Sequence, residues 1–149
     1  MQRLIRNILL FACVCASACS ESVIEEKNDP ELPGVGISGL WVQTAYLCSD
    51  GYFVAVNAPD AVHYEFARAD ENGEFIYTQY TVAENGERDI SKQGTWTYDA
   101  QTQSAHITEP RGWNLDIYFT FEGERDAILK IKGRTANSSS TVKARVQTK

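Results

Sequence analysis

The chain has 149 residues, with 20 acidic against 14 basic side chains and a formal net charge of −6 at neutral pH. That length accommodates one domain rather than two cores. The acidic balance repels polyphosphate, which excludes nucleic acid as a partner.

Met1 to Ala18 reads as a leader. Arg3 and Arg6 precede the apolar run Ile8 to Ala16, and Ser17 and Ala18 follow it. A basic start, an apolar run shorter than the roughly 20 residues of a membrane span, and a small-residue cleavage site are the layout of a secretory signal peptide over 1–18. Ala16-Ser17-Ala18-Cys19 resembles the lipobox of bacterial lipoproteins, with Ala16 where leucine is favoured. Leu10-Phe11-Ala12-Cys13 has the leucine, but using Cys13 leaves an apolar run of about six residues, below the roughly 7 that export signals carry. The resemblance therefore implies lipidation at Cys19, a membrane anchor made of lipid, and residence in the bacterial cell envelope, with the outer membrane expected. The alternative is ordinary cleavage near Ala18, leaving Cys19 a thiol on a soluble exported product.

Residues 19–33 form the expected tether: after Cys19, SESVIEEKNDPELP is acidic, contains two prolines and has little to bury. Loss of the leader removes Arg3, Arg6, Cys13 and Cys15, so the surface becomes more acidic and Cys48 is the one cysteine left beyond Cys19. Without an internal disulfide partner or a metal-ligand spacing, Cys48 is expected to pack as a small hydrophobe.

Residues 34–149 are the folded domain. Apolar residues there recur with period two, which predicts strands at Ile37 to Tyr46, Tyr52 to Val56, Val62 to Ala69, Glu74 to Val82, Thr95 to Tyr98, Ser104 to Thr108, Trp113 to Glu122, Ala127 to Lys132 and Thr141 to Gln147. Turn residues such as Ser49-Asp50-Gly51, Glu71-Asn72-Gly73 and Asn85-Gly86 separate them, supplying the positive φ that tight hairpins require. Trp113, Leu115, Ile117, Phe119 and Phe121 share one face, and Val142, Ala144 and Val146 oppose Lys143, Arg145 and Gln147. Asp89 to Gln93 reads as a single helical turn at most. The fold class is all-β, an antiparallel up-and-down barrel or half-open barrel of about eight strands, because closure removes exposed edges. A β-sandwich is the alternative.

Gly39-Leu40-Trp41, at the start of the first strand, resembles the Gly-x-Trp signature of lipocalins and related calycins. Gly94 to Tyr98, Ser104 to Thr108 and Ala127 to Ile131 are similar to middle and late strands of lipocalin-like domains in small bacterial lipoproteins. The resemblance implies that Gly39 and Trp41 close one end of the barrel and that Arg145, from the last strand, covers the Trp41 indole. These are structural roles. Val142 to Gln147 also resembles the end of fatty-acid-binding proteins, but Gln147 stands where their carboxylate-binding tyrosine would be, so no such site is carried over.

His63 and His106 are not in a metal-ligand spacing, so neither a metal nor another cofactor is expected. Glu65, Asp116, Glu122 and Glu124 could supply an acid and a base only if the fold enforced their geometry. Nucleophile elbows, phosphate loops and dinucleotide fingerprints are absent from the sequence, so no enzyme is expected. The acidic turn Asp70 to Glu74 lacks calcium-loop spacing and is expected to be a solvated hairpin. Two functions remain. Lumen-facing aromatics could bind a small hydrophobic ligand inside a lipid-anchored barrel. Alternatively a filled barrel could be a structural or interaction module that docks an envelope protein.

Overall fold

The structure, a computed structural model, describes residues 35–112, 114–134 and 138–147. The expected signal peptide, Cys19, the tether and Trp113 lie outside the described residues. Among the described residues, nine antiparallel strands form one sheet: β1 Gly39–Leu47, β2 Phe53–Ala55, β3 His63–Ala69, β4 Phe75–Val82, β5 Arg88–Asp99, β6 Ser104–Thr108, β7 Asn114–Phe121, β8 Asp126–Gly133 and β9 Ser139–Gln147. Their order is β2-β1-β3-β4-β5-β6-β7-β8-β9, and β1 also pairs with β9, closing the sheet. Eight strands thus make a closed barrel and β2 is extra. It pairs with the far end of β1 (Tyr46 with Val54, Leu47 with Phe53), above the stretch where β1 pairs with β3.

Alternation selects the core. Trp41 on β1, Tyr64 and Phe66 on β3, Tyr77 on β4, Trp96 on β5, Ile107 on β6, Leu115, Ile117 and Phe119 on β7, Leu129 on β8 and Val142 and Ala144 on β9 are all buried in one cluster. Aromatic rings fill the middle. Phe66 on β3 and Phe119 on β7, from opposite sides of the barrel, meet with centroids 5.7 Å apart, and each also packs edge-on against a tryptophan, Phe66 on Trp96 and Phe119 on Trp41. Such edge-to-face pairs add about 0.5–1.5 kcal/mol each beyond their buried area.

A 3₁₀ turn, Val35–Ile37, precedes β1 at this end. Ile37 is fully buried, and its carbonyl accepts a 2.9 Å hydrogen bond from Trp41 Nε1, satisfying the polar tip of a sealed indole. Gly39 has φ +134°, and a Cβ there would stand 3.3 Å from Val146 Cγ2. The position therefore suits glycine both for its backbone and for the close approach of β9.

Arg145 departs from the expected arrangement. Its side chain lies on the outer wall and donates to Asp126, with Nε 2.7 Å from Oδ1, while Phe119 and Phe121 contact Trp41. The cause is strand parity: Val142, Ala144 and Val146 turn inward, so Arg145 turns outward.

The fifth strand is the other correction. It starts at Arg88, so Asp89 to Gln93 is strand rather than a helical turn. Its register against β4 shifts between Gln79 and Tyr80: Gln79 faces Lys92 and Tyr80 faces Ile90, leaving Ser91 as an added residue. Such a bulge breaks alternation. Moreover, only Thr95 to Asp99 pairs with β6, so the upper part has no buried face to select apolar residues. Gly94 lies where the two halves meet. A Cβ there would come within 2.4 Å of the Thr108 carbonyl oxygen, which excludes any larger residue without backbone movement.

Candidate functional site

Three regions have chemistry to consider: the lumen, a polar cluster on the outer wall, and the hairpin joining β1 to β2.

The lumen divides into two levels. The level nearest the 3₁₀ turn is occupied by Trp41, Phe66, Trp96 and Phe119, as above. Toward the other end the inward groups become polar. Gln43 Oε1 accepts from the Val62 amide at 3.2 Å, and Tyr77 donates its hydroxyl to Gln79 Oε1 at 3.0 Å. Burial pushes the Tyr77 hydroxyl well above its ordinary range, and the nearby Tyr64 and Glu109 charges push it further, so Tyr77 stays a neutral donor. Burial does the same to Tyr64. A hollow of about 390 Å³ lined by Ile76, Gly94, Thr95, Thr108 and Glu109 opens on the outer wall, where Ile76, Thr95 and Thr108 point.

Adjacent strands β6, β7 and β8 bring together residues far apart in sequence. His106 pairs across the sheet with Asp116, whose Oδ1 lies 2.7 Å from His106 Nδ1. Arg134 reaches over from the end of β8 and donates to both Asp116 oxygens, from Nε at 3.0 Å and from Nη2 at 2.8 Å. Burial pushes the Asp116 carboxyl up, but the hydrogen bonds from Arg134 and His106 outweigh it and hold the group below its ordinary range.

The short Nδ1 contact requires a proton between His106 and the carboxylate, and Nε2 is the ring nitrogen on the other side. This nitrogen faces Ser104 Oγ at 3.5 Å. Serine, histidine and aspartate thus stand in the order used for nucleophilic catalysis. The hydroxyl, however, is closed off: Ser104 is 1 % exposed, and its Oγ lies 2.7 Å from Thr102 Oγ1. A nucleophile must reach its substrate, and this one does not reach the surface. The cluster is best described as a strap across three strands.

The other expected residues are dispersed. His63 stacks on Tyr80 with centroids 5.0 Å apart, and Glu65 pairs with Arg88 at 3.2 Å. Glu122 pairs with Lys143. Asp70 accepts from the Asn72 and Glu74 amides, which makes its turn an ordinary Asx-stabilised hairpin. Among the described residues, no group of three or more His, Cys, Asp or Glu side chains is arranged to hold a metal ion. Cys48 is half-buried rather than in the core, with Sγ 3.0 Å from the Tyr52 carbonyl oxygen.

The third region was not singled out from the sequence. Tyr46, Leu47, Tyr52, Phe53 and Val54 all belong to the β1–β2 hairpin, and they are five of the seven large hydrophobics exposed among the described residues. Tyr52, at the turn, is 74 % exposed. Because β1 shifts register against β9 between Gln43 and Ala45, side chains beyond that point no longer follow the barrel's inward and outward alternation. Leu47 and Phe53 share the outer face, with Lys143 Nζ 4.9 Å from the Phe53 ring centroid. Tyr46 and Val54 share the opposite one. Asp50 is the one charged side chain from Tyr46 to Ala55. Summed over the two faces and the turn, these five side chains expose roughly 500 Å² in all, so no single face carries the whole of it.

The chain matches no protein-family model and no curated protein.

Proposed function

We propose that this protein is an exported, lipid-anchored interaction module of the bacterial cell envelope, with an anchor at Cys19, an acidic tether over 20–33, and a filled barrel that docks a protein partner through its β1–β2 hairpin. One observation carries the choice between the two functions expected from the sequence: Phe66 and Phe119 meet across the barrel at 5.7 Å. A small hydrophobic ligand in the lumen would need the volume these rings and the flanking tryptophans occupy. The barrel then acts as a rigid stand for its surface, and the hairpin is the part of that surface where exposed large apolar side chains are concentrated.

Geometry favours the hairpin for a further reason. The chain enters the barrel beside Gly39, whereas the hairpin lies at the opposite end of β1, about 30 Å away for nine extended residues. A tether joined at Gly39 leaves the hairpin facing away from its attachment. The reading is non-catalytic, in keeping with the sealed Ser104 hydroxyl, and the outer membrane is its proposed location.

Two experiments test it. Palmitate labelling of growing cells should mark the protein and be lost in Cys19→Ala; labelling that persists in the variant contradicts the anchor. A fluorescent fatty-acid analogue titrated into the purified protein should show no saturable uptake. Saturable binding abolished by filling the lumen, but indifferent to hairpin substitutions, would return the function to the lumen.

A further inference from the structure

The edge of β2 carries its own information about what docks there. Cys48 N–H donates to the Tyr52 carbonyl and Val56 N–H to the Thr44 carbonyl, each at 3.0 Å. In an antiparallel pair, residues that exchange hydrogen bonds alternate with residues that do not. Between those two bonded positions the register runs Leu47 with Phe53, Tyr46 with Val54 and Ala45 with Ala55. Tyr46 and Val54 are therefore the bonded pair, and the Val54 amide and carbonyl turn toward β1. The amides and carbonyls of Phe53 and Ala55 turn the other way, toward an edge with which no strand pairs among the described residues.

From this edge we infer that the partner docked by the hairpin is a second copy of the chain, joined β2 to β2 in antiparallel fashion about a two-fold axis. The inference rests on the reading of the hairpin as a protein-docking surface and names its occupant. An antiparallel edge pair centred on Val54 is self-complementary: Phe53 and Ala55 of one copy face Ala55 and Phe53 of the other, so each outward amide meets an outward carbonyl. Val54 faces Val54. The alternating faces remain apolar on both sides of the axis, with Leu47 and Phe53 on one and Tyr46 on the other. Across the axis the two Val54 side chains meet one another and each Phe53 meets Ala55 of the other copy, the cross-strand contacts that stabilise a sheet. Charge does not direct the hairpin to a partner of opposite sign, because Asp50 is its one charged side chain and stands at the turn beyond the paired residues. Pairing also covers an apolar edge strand that bears none of the lysines or prolines by which such strands are usually protected.

Charge exchange at Val54 tests the inference. Val54→Glu and Val54→Lys each place like charges directly opposite one another across the axis and should each leave the protein monomeric, weakening association at least tenfold. An equimolar mixture of the two should dimerise again, which a folding defect could not produce. The protein is extracted from its own membrane and sedimented. Strand spacings place the two Cys48 residues about 20 Å apart in this dimer, so in intact cells a bis-maleimide of that reach should crosslink the wild-type chain to twice its mass, and Cys48→Ser should abolish the product. A monomeric wild type without a crosslink overturns the second copy. If Val54→Glu then still releases a different envelope protein, the docking reading survives without the dimer; if it releases nothing, both fail. Failure of the mixture to dimerise also overturns the inference.

Discussion

Trp41 and Tyr46 are large aromatics on the same strand, yet Trp41 is 3 % exposed and Tyr46 is 44 % exposed. The difference begins at the register shift between Gln43 and Ala45. Before it, β1 lies between β3 and β9 and its inward side chains meet aromatic rings from across the barrel. After it, β1 lies between β9 and a strand of three residues whose other edge no strand pairs among the described residues, and the large side chains of Tyr46 and Leu47 are exposed. Hydrophobicity at the first end therefore contributes to folding. At the second it remains available for association, so substitutions at the two ends should separate stability from binding.

Phe119→Ala should have the largest effect. It removes a ring contacting Trp41, Phe66, Tyr98 and Phe121 and is expected to cost about 3–5 kcal/mol, measured by denaturant unfolding. If the variant folds, the resulting space should admit an apolar probe that the wild type rejects, which would sharpen the contrast between the aromatic-packed level of the lumen and the exposed hairpin. Gly94→Ala comes next: the added carbon meets the Thr108 backbone, and the forced shift should cost about 3 kcal/mol without altering association. A melting temperature unchanged by Gly94→Ala would contradict the close approach of β5 and β6.

Asp116→Asn should cost about 1–2 kcal/mol near neutral pH, because Arg134 and His106 lose their charged partner. The folded carboxyl titrates below its ordinary value of 3.8, so its contribution is complete above that value and is lost as pH falls through the lower folded one. The stabilities of variant and wild type should accordingly converge in acid; a constant difference across the acid range would remove the ion pair from the account. Tyr52→Ser should have the smallest effect on folding, within about 0.5 kcal/mol, since its ring is mostly in solvent. The same substitution should weaken association, which sedimentation of membrane-extracted protein would show.

Much of the closed half was legible in the sequence. The run Leu115, Ile117, Phe119 has period two and lies on the core face, and Gly39 and Trp41 sit where the chain enters the barrel. Arg145 shows a residue-level expectation overridden by parity: Val142, Ala144 and Val146 must all leave the wall for the core, and the arginine between them cannot follow. The upper part of β5 was illegible because Ser91 interrupts alternation and β6 pairs only with Thr95 to Asp99. His106, Asp116 and Arg134 were illegible as a group because cross-strand register, not spacing along the chain, brings them together. The hairpin reads as two apolar strands, and an apolar pattern does not distinguish a side chain facing a core from one facing solvent.

Hydrogen exchange at the Phe53 and Ala55 amides, measured in protein held in its own membrane, tests most directly whether the hairpin is the working surface. Docking predicts that both amides exchange slowly there and quickly once Val54→Glu is introduced. Equally fast exchange in the two proteins would contradict it.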